Sequence, residues 1–255
     1  GLGDVYKRQD DNSEINSFKN GKNIISTCPV CLYAGSFVPE SVIQYAPNDA
    51  YIVDTAELTL EEIINEIKTA ARAGHAVARV HSGGPSLYGA IGEQIRCLET
   101  LKIDFEIIPG VPAYAAAAAL LKKELTLPGV AQTIILTRTA MKASQMPIGE
   151  DLDTLGKSGA TLAIHLSIRN LKYVCETLVP YYGIKCPVAV IYRASWPDQK
   201  VIRGTLGDIR PKVRAAKITR TALIIIGKVL SDDEFKNSSL YDPAHTHLMR
   251  PNRTS

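Results

Sequence analysis

The chain has 255 residues, 45% of them apolar and 22% charged, with a formal net charge of +3 at neutral pH. That length supplies core for one large domain or two ordinary ones. No run approaches the roughly 20 apolar residues of a membrane helix, no basic-then-apolar leader is expected at the start, and the scattered basic residues argue against a nucleic-acid surface while suiting a small anionic ligand.

Residues 28–33 form an apolar run that predicts a short buried strand, and Gly35-Ser-Phe-Val-Pro-Glu40 leads from it into a helix. Cys28-Pro-Val-Cys31 has the CxxC form, which raises a redox or metal role. No second pair of ligands stands at zinc spacing, so the pair reads as packing. Cys97, Cys175 and Cys186 complete an odd, irregularly spaced set that suits a reducing cytoplasm. Residues 51–54 predict the next strand. Thr59-Leu-Glu-Glu62 is a capping-box pattern, in which hydroxyl and carboxylate satisfy each other's free backbone amides. Leu60, Ile63, Ile64 and Ile67 then recur at helical spacing, and Gly74 stands where the helix should stop.

Residues 77–81 predict a strand, 88–101 a helix, 105–108 a strand and 113–121 an alanine-rich helix thin enough to pack closely. The strand at 77–81 runs into Arg79-Val-His-Ser-Gly-Gly-Pro-Ser-Leu-Tyr-Gly-Ala90. A strand ending in glycine and proline lets another molecule approach its backbone. A second turn of small residues follows at Pro109-Gly-Val-Pro-Ala-Tyr114. Two such turns at neighbouring strand ends suggest one ligand held by main-chain groups.

Pro and Gly interrupt the pattern at Leu125-Thr-Leu-Pro-Gly-Val130. Beyond it come predicted strands at 133–136 and 161–166, helices at 152–157 and 168–178, and adjacent antiparallel strands at 188–192 and 199–204. A helix at 206–215 and a strand at 222–227 end the pattern. The fold class is α/β in two domains, 1–123 and 130–230, each with a mixed sheet, before a polar tail at 231–255. His245 and His247 in that tail read as solvated rather than metal-binding.

Seven blocks then occur in order: Cys28-Pro-Val-Cys-Leu-Tyr-Ala-Gly-Ser36, residues 79–90, residues 109–121, Leu136-Thr-Arg138, Ile164-His-Leu-Ser167, Tyr192-Arg-Ala-Ser-Trp-Pro-Asp-Gln199 and Thr219-Arg-Thr-Ala222. Together they resemble the tetrapyrrole methylases of cobalamin biosynthesis, and within them the branch that methylates C11 of precorrin-4 or cobalt-precorrin-4. The likeness runs from about Gly21 to Leu240-Tyr-Asp-Pro243. It implies two α/β domains with S-adenosylmethionine, the methyl donor, in the cleft between them, a tetrapyrrole substrate, a cytoplasmic homodimer and no metal. The donor contacts it implies are Ser82, Gly83, Gly84, Leu87, Pro112, Ala113, Leu166, Ala194, Thr221 and Ala222. These are mostly small or apolar residues at strand ends, where backbone groups are free.

The substrate's acetate and propionate groups call for planar cationic partners. Arg138 and Arg193 are the first choices, with Arg79, Lys142 and Arg169 beside them. A sulfonium methyl is already activated, so alignment supplies most of the rate. No base is identified; His81, Tyr88 and His165 are the candidates for moving a proton, each with packing or positioning as the alternative.

Two departures from the family pattern stand out. A first strand with a Gly-x-Gly-Pro-Gly-Asp type loop is absent, and residues 1–9 read as foreign sequence. Gly84 replaces the aspartate of a Ser-Gly-Asp-Pro turn. They leave open a methylase-like protein that binds donor and tetrapyrrole but turns over poorly, or a relative acting on another tetrapyrrole position.

Overall fold

Alternation decides how the first sheet is buried. In β2 (Val30–Tyr33), Val30 and Leu32 pack with Ile63, Ile64 and Ile67 of α3 (Leu60–Arg72). Cys31 points the other way, to a cluster with Ile25 of α1 (Ser17–Thr27), Cys28, Val80 and Ile108. A strand buried on both faces is what a parallel sheet with helices on both sides requires. The CxxC pair therefore lies in core, and burial pushes the Cys31 thiol up to about 11.

The structure is a computed structural model that describes residues 2–3, 17–35, 37–140, 144–231 and 235–238. It divides into two units, Gly1–Ala116 and Ala117–Ser255. The first begins with β1 (Leu2–Gly3) and, after β2, adds α2 (Glu40–Ile43), β3 (Tyr51–Asp54), β4 (Val77–Ser82), α4 (Gly92–Thr100) and the start of α5 (Ala113–Leu121). The strand order is β1-β4-β2-β3. β2 runs parallel to both its neighbours, while Leu2 and Gly3 pair antiparallel with Ser82 and His81 of β4.

The capping box forms as expected: the Thr59 amide donates to Glu62 Oε2 at 2.7 Å, and the Glu62 amide donates to Thr59 Oγ1 at 3.3 Å. The helix expected over 88–101 starts only at Gly92, because Tyr88 (φ 58°) and Ala90 (φ 51°) are left-handed. The strand expected at 105–108 has no ladder among the described residues. Only Glu106 there is a bridge residue, and Ile108 contributes buried core.

The second unit contains β5 (Ile134–Arg138), α6 (Leu152–Gly156), β6 (Thr161–His165), α7 (Leu171–Tyr182), β7 (Pro187–Tyr192), β8 (Lys200–Thr205), α8 (Ile209–Ala215) and β9 (Ala222–Ile226). The helix expected from 168 opens as a 3₁₀ turn, Ile168–Asn170, before α7. The order is β5-β6-β9-β7-β8. β5 and β6 are parallel; the other pairs are antiparallel, including the expected β7 and β8. Leu162, Ile164, Val188, Val190, Ile224 and Ile226 of the central strands bury against Val174 and Leu178 of α7 and Ile209 of α8.

Register then fixes where the second unit's loops emerge. Arg138 pairs with His165, Ile164 with Ile224, and Tyr192 with Ala222. The ends of β5, β6 and β7 and the start of β9 thus lie at one end of the sheet. Among the described residues no helix is long and apolar enough to cross a membrane. His245, His247, Lys142 and Leu240-Tyr-Asp-Pro243 lie outside the described residues.

Candidate functional site

In the first unit the two small-residue turns meet. A Cβ placed on Gly83 would lie 3.4 Å from the Val111 carbonyl oxygen and 3.8 Å from the Ala113 nitrogen. One on Gly84 would lie 3.4 Å from Pro112 Cβ. Ser82, Gly83, Gly84, Pro112 and Ala113 therefore come together, and Leu87 joins them through its amide, which donates to the Gly84 carbonyl at 3.1 Å. Gly89 holds the far side of this loop, since a Cβ there would strike the Pro85 carbonyl.

Asp54 organises the neighbouring strand end and escaped the sequence reading. Its Oδ1 accepts from the amides of Gly35 and Ala56, both at 2.9 Å, and a Cβ on Gly35 would collide with its carboxylate. The signal available was an aspartate at a strand's end, placed to bond its own backbone two residues on.

Arg79, expected beside the substrate, is instead interior at 5% exposure. Its Nε donates to Gln94 Oε1 at 3.3 Å, and Gln94 Nε2 donates to the Ala90 carbonyl at 3.1 Å, so the pair anchors the loop to α4. Burial, with Arg79 nearby, lowers His81 to about 4. Burial likewise lowers His165 to about 4. Both imidazoles are neutral at physiological pH. Tyr88 stands at 41% exposure in the left-handed loop.

In the second unit Leu166, Ala194, Thr221 and Ala222 gather at the sheet end defined above. Arg138 is there too, but its guanidinium is engaged. Nη1 donates to the carbonyls of Thr139 and Ser144, each at 3.1 Å, and Nη2 donates to Ser144 Oγ at 2.7 Å and the Gln145 carbonyl at 3.2 Å. Arg138 thus shapes its own loop rather than standing open to a carboxylate. Arg193 forms an ion pair with Asp198 at 2.8 Å and lies 4.6 Å from the Trp196 ring centroid and 5.1 Å from that of Tyr192. Its Nε is buried with no hydrogen-bond partner among the described residues. Arg169 Nε donates to the Thr219 carbonyl at 3.3 Å, tying the segment after β6 to the one before β9.

Backbone strain marks the same places. Nine non-glycine residues among those described have left-handed φ. Lys102, Lys122 and Lys217 follow helices, the usual place for that conformation. The other six are Tyr88 and Ala90 after β4, Leu166 after β6, Arg193 and Ser195 after β7, and Thr221 before β9. Each costs on the order of 1–2 kcal/mol relative to a relaxed backbone, and such strain concentrates at ligand sites. Leu166 adds 54% exposure, unusual for a large apolar side chain in a strained position.

The sequence model of the tetrapyrrole (corrin/porphyrin) methylases matches residues 19–210. The chain belongs to this family. Among curated methylases it is 57% identical over 231 residues to the precorrin-4 C(11)-methyltransferase of Pseudomonas aeruginosa, covering 91% of this chain and 92% of that one. It is 46% identical to the cobalt-precorrin-4 C(11)-methyltransferase of Methanocaldococcus jannaschii, covering 90% and 89%. The X-ray structure of a cobalt precorrin-4 methyltransferase superposes with a TM-score of 0.81 at 37% identity, covering 83% of this chain and 89% of that one. The two-sheet α/β architecture is therefore the methylase fold. Six of the seven sequence blocks named above lie wholly inside the matched span, and the seventh, at 219–222, supplies the start of β9.

Proposed function

We propose that this methylase transfers a methyl group from S-adenosylmethionine to C11 of precorrin-4 or its cobalt form. The observation that carries the reading is near full-length likeness, at 57% identity, to a protein named for that reaction. The donor, when bound, supplies a sulfonium-activated methyl group, and the chain's task is to present an electron-rich carbon in line with it. Ser82, Gly83, Gly84, Leu87, Pro112 and Ala113 of the first unit, and Leu166, Ala194, Thr221 and Ala222 of the second, are its contacts. Their fit is one of kind: glycine or left-handed backbone stands beside the strand ends at Gly83, Leu166 and Thr221, where main-chain groups can meet a ligand.

Arg193 takes a substrate carboxylate, held in place by Asp198 and the two flanking rings. Arg138 serves the substrate indirectly, by holding Thr139, Ser144 and Gln145. His81 and His165, neutral and weakly basic, orient rather than remove protons. The protein works in the cytoplasm, in keeping with free cysteines at Cys28, Cys31, Cys97, Cys175 and Cys186, and as a homodimer. Sedimentation reads the last point.

The test is transfer of radiolabelled methyl from S-adenosylmethionine to precorrin-4 and to cobalt-precorrin-4, with the product located by NMR. Label at C11 of either is expected. Donor binding without transfer to either, or label at another carbon, overturns the assignment.

A further inference from the structure

Leu166 is a branched apolar residue, left-handed at φ 54° and 54% exposed. Nothing in its own chemistry favours that state, so its neighbours must impose it. The Ser167 hydroxyl donates to the His165 carbonyl at 2.6 Å, closing a ring around Leu166. That hydroxyl in turn accepts from the Thr139 amide at 2.8 Å and from Thr139 Oγ1 at 3.0 Å. Asn170 Nδ2 donates to Thr139 Oγ1 at 2.7 Å. Donors and acceptors therefore run in one direction, from Asn170 through Thr139 and Ser167 to the carbonyl just before Leu166. Ser167 and Thr139 are 1% and 2% exposed, so water cannot replace a lost partner.

We infer that Ser167, backed by Thr139 and Asn170, is a positioning residue that holds Leu166 in the left-handed, outward state used for donor binding. The inference rests on the reading of Leu166 as a donor contact. The relay joins the end of β5 to the end of β6, so the donor contact is built on two parallel strands rather than on a free loop.

Calorimetric titration with S-adenosylhomocysteine tests it, alongside methyl-transfer kinetics, in Ser167→Ala, Leu166→Ala, Leu166→Gly and the Leu166→Gly/Ser167→Ala double variant. Ser167→Ala should weaken donor binding roughly tenfold, the effect of one buried hydrogen bond, and leave the tetrapyrrole KM within about twofold. With Leu166→Gly already present, Ser167→Ala should add less than about twofold, because glycine needs no support at positive φ. Thr139→Val, which keeps the side chain's shape and removes its hydroxyl, should move donor affinity the same way if Ser167→Ala does not fold. Unchanged donor affinity in both Ser167→Ala and Thr139→Val, with a loss in Leu166→Ala, overturns the positioning role alone. So do effects that multiply in the double variant. Unchanged affinity in Leu166→Ala overturns the donor-contact reading, and the inference falls with it.

Discussion

Gly83 and Gly84 are adjacent in one turn, yet the structure gives them opposite tolerances. Gly83 has φ 72°, where an added Cβ is strained whatever the space around it. Alanine there should cost about 1–2 kcal/mol. Gly84 has an ordinary φ, and its Cβ would make normal contacts of 3.4–3.7 Å with Pro112 and Gly110. Alanine at that position should stabilise by about 0.4–1 kcal/mol, by narrowing the unfolded ensemble. For a chain of this size 1 kcal/mol moves the melting temperature by roughly 2–4 °C. Gly83→Ala should therefore melt about 2–8 °C lower and Gly84→Ala about 1–4 °C higher. Gly84→Asp, the residue that the family pattern carries, should fit as alanine does and hold the turn more firmly. Donor binding by calorimetry should tighten, because a turn already held loses less freedom when the donor docks. Melting shifts of the same sign at both positions, or equal donor affinity in Gly84→Asp and the parent, would refute the reasoning.

Arg138→Lys should behave nearly as Arg138→Ala, raising the tetrapyrrole KM in steady-state assays, because an ammonium cannot make four bonds to Thr139, Ser144 and Gln145; full activity in the lysine variant would count against the loop-holding role. Folded His81 and His165 bind protons only near pH 4, whereas the unfolded chain binds them near 6.5. The stability present above pH 6.5 is thus lost as pH falls toward 4, on the order of 2 kcal/mol per residue by pH 5. Urea midpoints compared at pH 7.5 and 5 should show it, and His165→Gln should flatten the slope. Gly89→Ala should lose about 2 kcal/mol or more in urea melts, since its Cβ meets the fixed Pro85 carbonyl; a wild-type midpoint would show that the loop yields.

Local rules read parts of this fold residue for residue. Tyr51–Asp54 and Ala113–Leu121 came from apolar runs between turn residues, and the Thr59 cap came from reciprocal bonding four residues long. The helix start at Gly92 did not, because Tyr88 and Ala90 take left-handed backbone through the approach of Gly89 to Pro85, a contact that no pattern announces. The same limit applied within the site. Glycine turns at 83 and 110 were legible as turns, but Leu166, Arg193 and Thr221 do by tertiary restraint what glycine does freely. Arginines are legible as charges and not as rotamers, so Arg79 and Arg138 looked like open ligands when one is interior and the other binds its own loop.

The cysteines give the molecule a set of internal clocks. Cys28 and Cys31 are buried in the first unit, Cys175 and Cys186 in the second, and burial holds three of these thiols at about 11. Cys97 is only partly covered. A thiol reagent should therefore mark Cys97 at once and then wait on each unit to open. Peptide mapping of the slow phases would report the opening rate of each half of the chain separately, in one tube and without a label.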